Sequence, residues 1–458
     1  MTTSSGLHWS SRTAFLLASV GCAVGLGNIW LFPYQAGANG GGAFVLVYLA
    51  AAFGLALPVL LAEMLLGRRG AAAPPQALAN VASESGHSEN WRWMGVLLGG
   101  IGAMLALGFY CVVGGWTLAY AFKAAAGQLQ QLSAASSAQM FGDLSATPGS
   151  ILPWFATFTL LTIYISSRGL HAGIEKAVKF MMPALFIMLL AMVIYAAIIG
   201  DFRAAIHFLF DPDFSKLSSD VVLAAFGTAF FSVSVGITNM MAYGSYVERS
   251  TSLPSSAAIV VIADTTVALL AGLAIFPIVF MAGLEPAGGG GLAFISLPIA
   301  FGQIPGGLLF GTAFFVLLFF AALTSSIGML EPPVSWLADS FGFTRRKAAL
   351  IAGGIAFVLS LTAALSFNVL SDFKPLGDLP MFAGKTVFEV FVYIVTQLLM
   401  PTGGILVTIF AGWIVKRQFS ADEMYAGAEP LAYKVWLFIV RFIAPILLAL
   451  VLWDVATS

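Results

Sequence analysis

The run Gly21-Cys22-Ala23-Val24-Gly25-Leu26-Gly27-Asn28-Ile29-Trp30-Leu31-Phe32-Pro33 decides how this chain is read, because it lies inside an apolar segment and is built to interrupt it. Glycine weakens a helix interior by about 1 kcal/mol relative to alanine, and three glycines fall within seven residues here. Close spacing of small residues also lets membrane helices pack tightly, so the glycines alone leave two readings open. Asn28 favours the interruption, since it sets an amide where lipid prefers an alkyl group. Unwound backbone at membrane depth frees carbonyls that lipid cannot satisfy, and it is tolerated where it lines a cavity, meets protein or holds an ion.

Working outward, the run Phe231-Ser232-Val233-Ser234-Val235-Gly236-Ile237-Thr238-Asn239 repeats the theme five spans later. Carbonyls, an amide oxygen and hydroxyls are hard ligands suited to sodium, and the N-termini of half-helices suit a carboxylate. Matched interruptions in two halves of a membrane protein point to the binding site of a secondary transporter.

The surrounding sequence is a membrane protein's. Of 458 residues, 60% are hydrophobic and 9% charged, against about one quarter charged in a soluble domain. A net charge of −1 gives no basic surface for a phosphate backbone, which excludes nucleic acid as the partner. Cys22 and Cys111 have no neighbours at metal-ligand or redox spacing. A bilayer core takes about 20 helical residues, and about eleven such spans follow one another, near 12–35, 43–67, 94–126, 151–168, 174–200, 219–247, 256–283, 305–340, 346–367, 386–415 and 431–453. The first is read as a retained helix, because it outruns a signal peptide and lacks a small-residue cleavage pattern. With the N-terminus inside, fifteen Lys and Arg fall in cytoplasmic positions and five outside, so the positive-inside rule predicts a cytoplasmic N-terminus and an outer C-terminus in the cell's inner (plasma) membrane. The segment from Gln128 to Ser150 reads as a flexible outer loop, and Gly288 to Gly307 as a re-entrant or surface helix pair capping an entrance.

Further polar residues stand at membrane depth. Thr324, Ser325 and Ser326 lie deep in the eighth span, where hydroxyls often bond to their own helix. Glu63 and Asp264 are acids inside spans, which are functional hypotheses by default. Glu331 precedes Pro332 and Pro333 and is given no role beyond supporting a kink. The four histidines, His8, His87, His171 and His207, fall near span ends or in loops, with no nucleophile and base paired at depth, so an intramembrane enzyme is not predicted.

The run from Gly21 to Pro33, with Asn39-Gly40-Gly41-Gly42-Ala43-Phe44, Phe109-Tyr110, Gly115-Trp116-Thr117-Leu118, Tyr243-Gly244-Ser245-Tyr246 and Leu323-Thr324-Ser325-Ser326, resembles the neurotransmitter:sodium symporter family across nearly the whole chain. The resemblance is to its bacterial amino-acid transporter branch, with the leucine-transporter fold. It implies a single all-α transmembrane domain of two five-helix inverted repeats, 12–200 and 219–415, plus an extra helix at 431–453, with the first and sixth helices unwound. It implies two sodium ions: one held by Ala23, Asn28, Ser232 and Asp264 with the substrate carboxylate, the other by Gly21, Val24, Ala321, Thr324 and Ser325. Asp264 stands where the family has an asparagine, and its charge implies that chloride is not required. Glycine at position 25, where monoamine carriers have aspartate, implies an amino-acid substrate whose own carboxylate completes the sodium shell. Tyr110 would bond that carboxylate, within a pocket of Ala23, Gly27, Ala106, Phe231, Ser232, Ser234, Ile237, Ser326 and Met329. The lining carries no charge, which implies a neutral, apolar amino acid.

Departures from the family matter equally. Its outer gate pairs an arginine with an acid, and those positions are Leu31 and Val392 here. At the inner side, the arginine that partners Asp339 is replaced by Gly6, with His8 or Arg12 as candidate substitutes. Gating therefore falls to Trp9, Leu31, Tyr110, Phe231, Ser245, Tyr246 and Asp339. The rival reading is a membrane receptor that binds sodium and amino acid without transport, or leaks sodium, for want of ionic gates. Nothing in the sequence specifies an oligomeric state.

Overall fold

The computed structural model describes residues 7–285 and 292–457, and every regular element among them is helical. Gly6 and the glycine run Gly288 to Gly291 lie outside the described residues. Nine helices among those described are long and apolar enough to cross a bilayer: Gly42–Gly70, Glu89–Ala125, Pro148–Ser167, Leu170–Ile199, Leu253–Met281, Gly307–Phe341, Arg345–Leu365, Val387–Ile414 and Leu431–Thr457. They take the positions of spans two to five and seven to eleven. The first position holds two helices, Arg12–Ala23 and Gly27–Ala38, bent by 50° at their break. The sixth holds Ser219–Val233 and the short Asn239–Gly244.

Both breaks fall where the sequence weakens the helix. Val24 leaves the helix with φ −66° and ψ 105°, and the chain resumes at Gly27 with a π turn over Gly27–Leu31. In the sixth span Ser234, Gly236 and Thr238 all take positive φ, at 58°, 93° and 58°. Two of these are not glycine, so the stretch is strained and must be held from outside. Glu63 of the second span does the holding: its fully buried carboxylate accepts the Gly236 N–H at 2.7 Å and the Met240 N–H at 3.2 Å. These are among the donors that a broken helix leaves orphaned. Glu63→Gln keeps the shape but turns an amide N–H2 towards backbone N–H groups, and an unsatisfied buried donor costs about 1–3 kcal/mol. A lowered melting temperature of the purified protein in detergent is the expected result; an unchanged one would show that the stretch is held some other way.

Two expectations change. The segment from Gln128 to Ser150 is not merely a loop, since Ala134–Ser145 forms a helix opened by a capping box between Ser133 and Ser136. Its Ser137 hydroxyl donates to the Ile295 carbonyl at 2.7 Å, and the Asn368 amide donates to the Ser145 carbonyl at 3.0 Å. Serine-rich composition disguised a capped, docked helix. Within the described part of the second outer segment, a π turn over Leu292–Ser296 leads into Leu297–Gln303. Phe294 there packs edge-on against Trp30, Trp116 and Tyr120, which explains why so short an apolar run is buried.

Candidate functional site

At the first break the Ser325 hydroxyl of the eighth span donates towards the Gly21 and Val24 carbonyls, at 3.3 and 3.2 Å. Next to it, the Thr324 hydroxyl donates to the Ala321 carbonyl at 3.1 Å and to Phe320 at 3.0 Å. Gly21 keeps the two helices close, since a Cβ there would stand 3.2 Å from Thr324 Cβ. The result is a group of neutral oxygens converging from two helices, the donor type a hard monovalent cation takes. Among the described residues no cluster of three or more His, Cys, Asp or Glu is placed to hold a metal.

A second polar group forms where the first, sixth and seventh spans meet. The Asn28 amide donates to Asp264 Oδ1 at 2.7 Å, to the Asp264 carbonyl at 3.0 Å and to Ser232 Oγ at 2.7 Å. Ser232 donates to Asp264 Oδ2 at 2.7 Å, with the Tyr48 hydroxyl 3.3 Å away, and Asn28 Oδ1 accepts the Gly25 N–H at 3.0 Å. All four side chains are buried. A carboxylate with this little solvent needs each of these partners or a cation.

Between these groups lies a small chamber of about 20 Å³, lined by Ala23, Gly25, Leu26, Gly27, Ala106, Phe109, Tyr110, Phe231, Ser234, Ile237, Ser325, Met329, Val395 and Met400. Eight of the expected pocket residues are brought together here. Two are not. Ser326 turns away, its hydroxyl 2.8 Å from Thr162 Oγ1 and donating to the Leu323 carbonyl at 2.9 Å, because it stands on the face towards the fourth span. Ser232 is occupied in the Asp264 group. The Tyr110 hydroxyl accepts the Leu26 N–H at 3.3 Å. A larger chamber of about 580 Å³ adjoins the small one, and Leu31, Thr228 and Val392 are among its walls.

The opposite side is closed. Trp9 is buried, its backbone N–H donating to the Tyr246 carbonyl at 3.1 Å and its indole to the Tyr243 carbonyl at 3.0 Å. The Tyr246 hydroxyl donates to Glu331 at 2.7 Å, and Arg345 donates to the same carboxylate through both terminal nitrogens, one at 2.8 Å. Glu331 thus ties the sixth, eighth and ninth spans, a role that its place before two prolines did not suggest. The eighth helix runs unbroken through both prolines. Asp339 accepts the Ala73 N–H at 2.8 Å. Arg12, a candidate partner for it, instead donates to Ser255 at 2.8 Å. Ser245 keeps its hydroxyl on the Ala242 carbonyl at 2.7 Å, within its own turn.

Val395 and Met400 were not foreseen in the pocket, since neither stands out among the apolar residues of the tenth span. Glu63 and Glu331 were visible as buried acids; a search for complementary charges near span ends would have proposed Arg345 for Glu331.

Residues 7–138 and 130–457 match a family model described as the sodium:neurotransmitter symporter family. An uncharacterised sodium-dependent transporter of Bacillus subtilis is 35% identical over 450 residues, covering 97% of this chain and 96% of its own. The human sodium- and chloride-dependent taurine transporter is 26% identical over 483 residues, covering 92% and 73%. Among solved structures, the crystal structure of MhsT in complex with L-phenylalanine superposes with a TM-score of 0.88 at 38% identity, over 98% of this chain and 99% of the other.

Proposed function

Because the chain belongs to the sodium:neurotransmitter symporter family, we propose that it imports a neutral, apolar amino acid with sodium by alternating access. It is a multi-pass, sodium-dependent transporter of a small molecule and not an enzyme. The observation that carries the amino-acid reading is at Gly25: a Cβ there would stand 2.6 Å from Ser325 Oγ and 2.7 Å from Tyr110 Oη. No side-chain acid fits at that position, so a carboxylate beside sodium comes from the substrate. The chamber carries no charged side chain, and the solved relative holds L-phenylalanine.

In this reading two sodium ions accompany each substrate. One sits with Ala23, Asn28, Ser232 and Asp264, the Asn28 amide turning over so that its oxygen faces the ion; the other sits with Gly21, Val24, Ala321, Thr324 and Ser325. Asp264 supplies the fixed negative charge, so chloride is not needed, in contrast to what the human relative's name states of that protein. The repeats 12–200 and 219–415, with the added helix 431–453, lie in the inner membrane with the N-terminus in the cytoplasm, the orientation that fifteen positive charges against five favour. The larger chamber then faces outward and the Trp9 contacts close the cytoplasmic path. Two ions contribute about 2.3 kcal/mol each at 100 mV and about 1.4 kcal/mol each per tenfold gradient.

One observation favours a rival: the walls of the larger chamber carry Leu31 and Val392, with no charge pair across it at these positions. A receptor or a leak would share the site. Counterflow of labelled amino acid in proteoliposomes, after a screen of the twenty amino acids for sodium-dependent thermal stabilisation, separates them. A carrier exchanges substrate across the membrane; binding without counterflow would overturn transport and leave the receptor.

A further inference from the structure

Two chambers meet at a thin partition. Leu26, Phe109, Tyr110, Phe231 and Met400 line both the small chamber of about 20 Å³ and the larger one of about 580 Å³. The small chamber has room for about one water molecule, so an apolar side chain enters only when part of the wall retreats. Most of the wall is stiff. Ile237 and Val395 are β-branched, with restricted χ1. Tyr110 is held by the Leu26 N–H at 3.3 Å, and the Phe231 ring lies 3.1 Å from where a Gly27 Cβ would stand.

Met400 differs. Its carbonyl oxygen packs directly on Gly236, at φ 93° in the unwound sixth span, and Gly403 one turn on packs on the Gly236 carbonyl. The backbone is therefore anchored against the broken helix, while an unbranched thioether chain with three rotatable bonds extends from it. Of the five partition residues three are aromatic, and Leu26 stands in the break of the first span. Only Met400 combines a fixed pivot with a flexible chain and open space directly behind it.

We propose that Met400 is the movable wall of the substrate chamber: it swings towards the larger chamber to admit a side chain, and so sets which substrate sizes are occluded. This rests on the amino-acid reading above. A small substrate leaves the thioether packed inward; a bulky one displaces it and is closed in beneath it.

The test is sodium-driven uptake by the full-length protein in proteoliposomes, with alanine, valine, leucine, phenylalanine and tryptophan in competition. Ratios are read within each variant, so differences in the amount of folded protein cancel. Met400→Ala should raise the phenylalanine-to-alanine and tryptophan-to-alanine ratios about tenfold, and Met400→Ile, of similar bulk but stiff at χ1, should lower them about tenfold. Met400→Leu should stay within about threefold of the wild type. Ratios unmoved by both the alanine and isoleucine variants overturn the role of Met400 alone. A wild-type protein that takes up none of the five and is stabilised by none of them in sodium overturns the neutral, apolar amino-acid reading, and this proposal with it; stabilisation without uptake overturns transport instead.

Discussion

Gly25→Ala should abolish sodium-dependent amino-acid binding, with an affinity loss of at least about 100-fold, or about 2.7 kcal/mol. The added methyl carbon would stand 2.6 Å from Ser325 Oγ and 2.7 Å from Tyr110 Oη, well inside van der Waals contact, and neither atom can retreat without a loss of its own. Ser325 is the hydroxyl that reaches the Gly21 and Val24 carbonyls, and Tyr110 holds the Leu26 N–H. One methyl group thus pushes apart the proposed sodium shell and the proposed carboxylate contact together. Overpacking a filled core costs about 1–3 kcal/mol, and here it falls on ligand-bearing atoms. Isothermal titration or thermal-shift titration with sodium and substrate measures the loss, and the melting temperature of the ligand-free variant reports how much strain is global. Wild-type affinity in Gly25→Ala would remove the argument that the substrate supplies the carboxylate.

Much of this site could be read from the residues because broken membrane helices leave a compositional mark. Glycines beside an asparagine in an apolar segment have few other uses, so the break near Val24 and the strained stretch from Ser234 to Thr238 were both foreseen. Asp264 was legible for the same reason, since an acid inside a span needs partners. What escaped notice has no such mark. Met400 and Val395 are apolar residues in an apolar helix, and their place at the chamber follows from packing of the tenth span on Gly236, a long-range contact that periodicity does not encode. Ser326 is set apart from the chamber because adjacent serines on a helix point about 100° apart: Ser325 faces the break and Ser326 faces Thr162. The helix Ala134–Ser145 was missed because serine favours caps as much as loops.

Asp264→Asn should raise the sodium concentration for half-maximal uptake at least about 30-fold, while wild-type uptake should be unchanged when external chloride is replaced by gluconate. The carboxylate is fully buried, with Asn28 donating to Oδ1 and Ser232 to Oδ2, both at 2.7 Å. Burying an ion pair gains little over burying none, but removing one member of a buried pair costs about 3–5 kcal/mol because the other is left uncompensated. Sodium between Asn28 and Asp264 is such a member. Asparagine keeps the shape and the Ser232 contact but turns an N–H2 towards the Asn28 amide, so the change removes the charge and one acceptor together; a cation arriving in the variant would be desolvated against neutral groups alone. The fixed charge also accounts for chloride, because a site that carries its own anion has no electrostatic use for a second. The two halves of the prediction fail separately. A wild-type sodium titration in Asp264→Asn would show that the ion binds elsewhere and that the Asn28, Ser232 and Asp264 group only fastens the three spans. A wild-type requirement for chloride, with the sodium titration shifted as expected, would instead mean that Asp264 supplies charge to the ion but not enough of it, and that the anion makes up the balance.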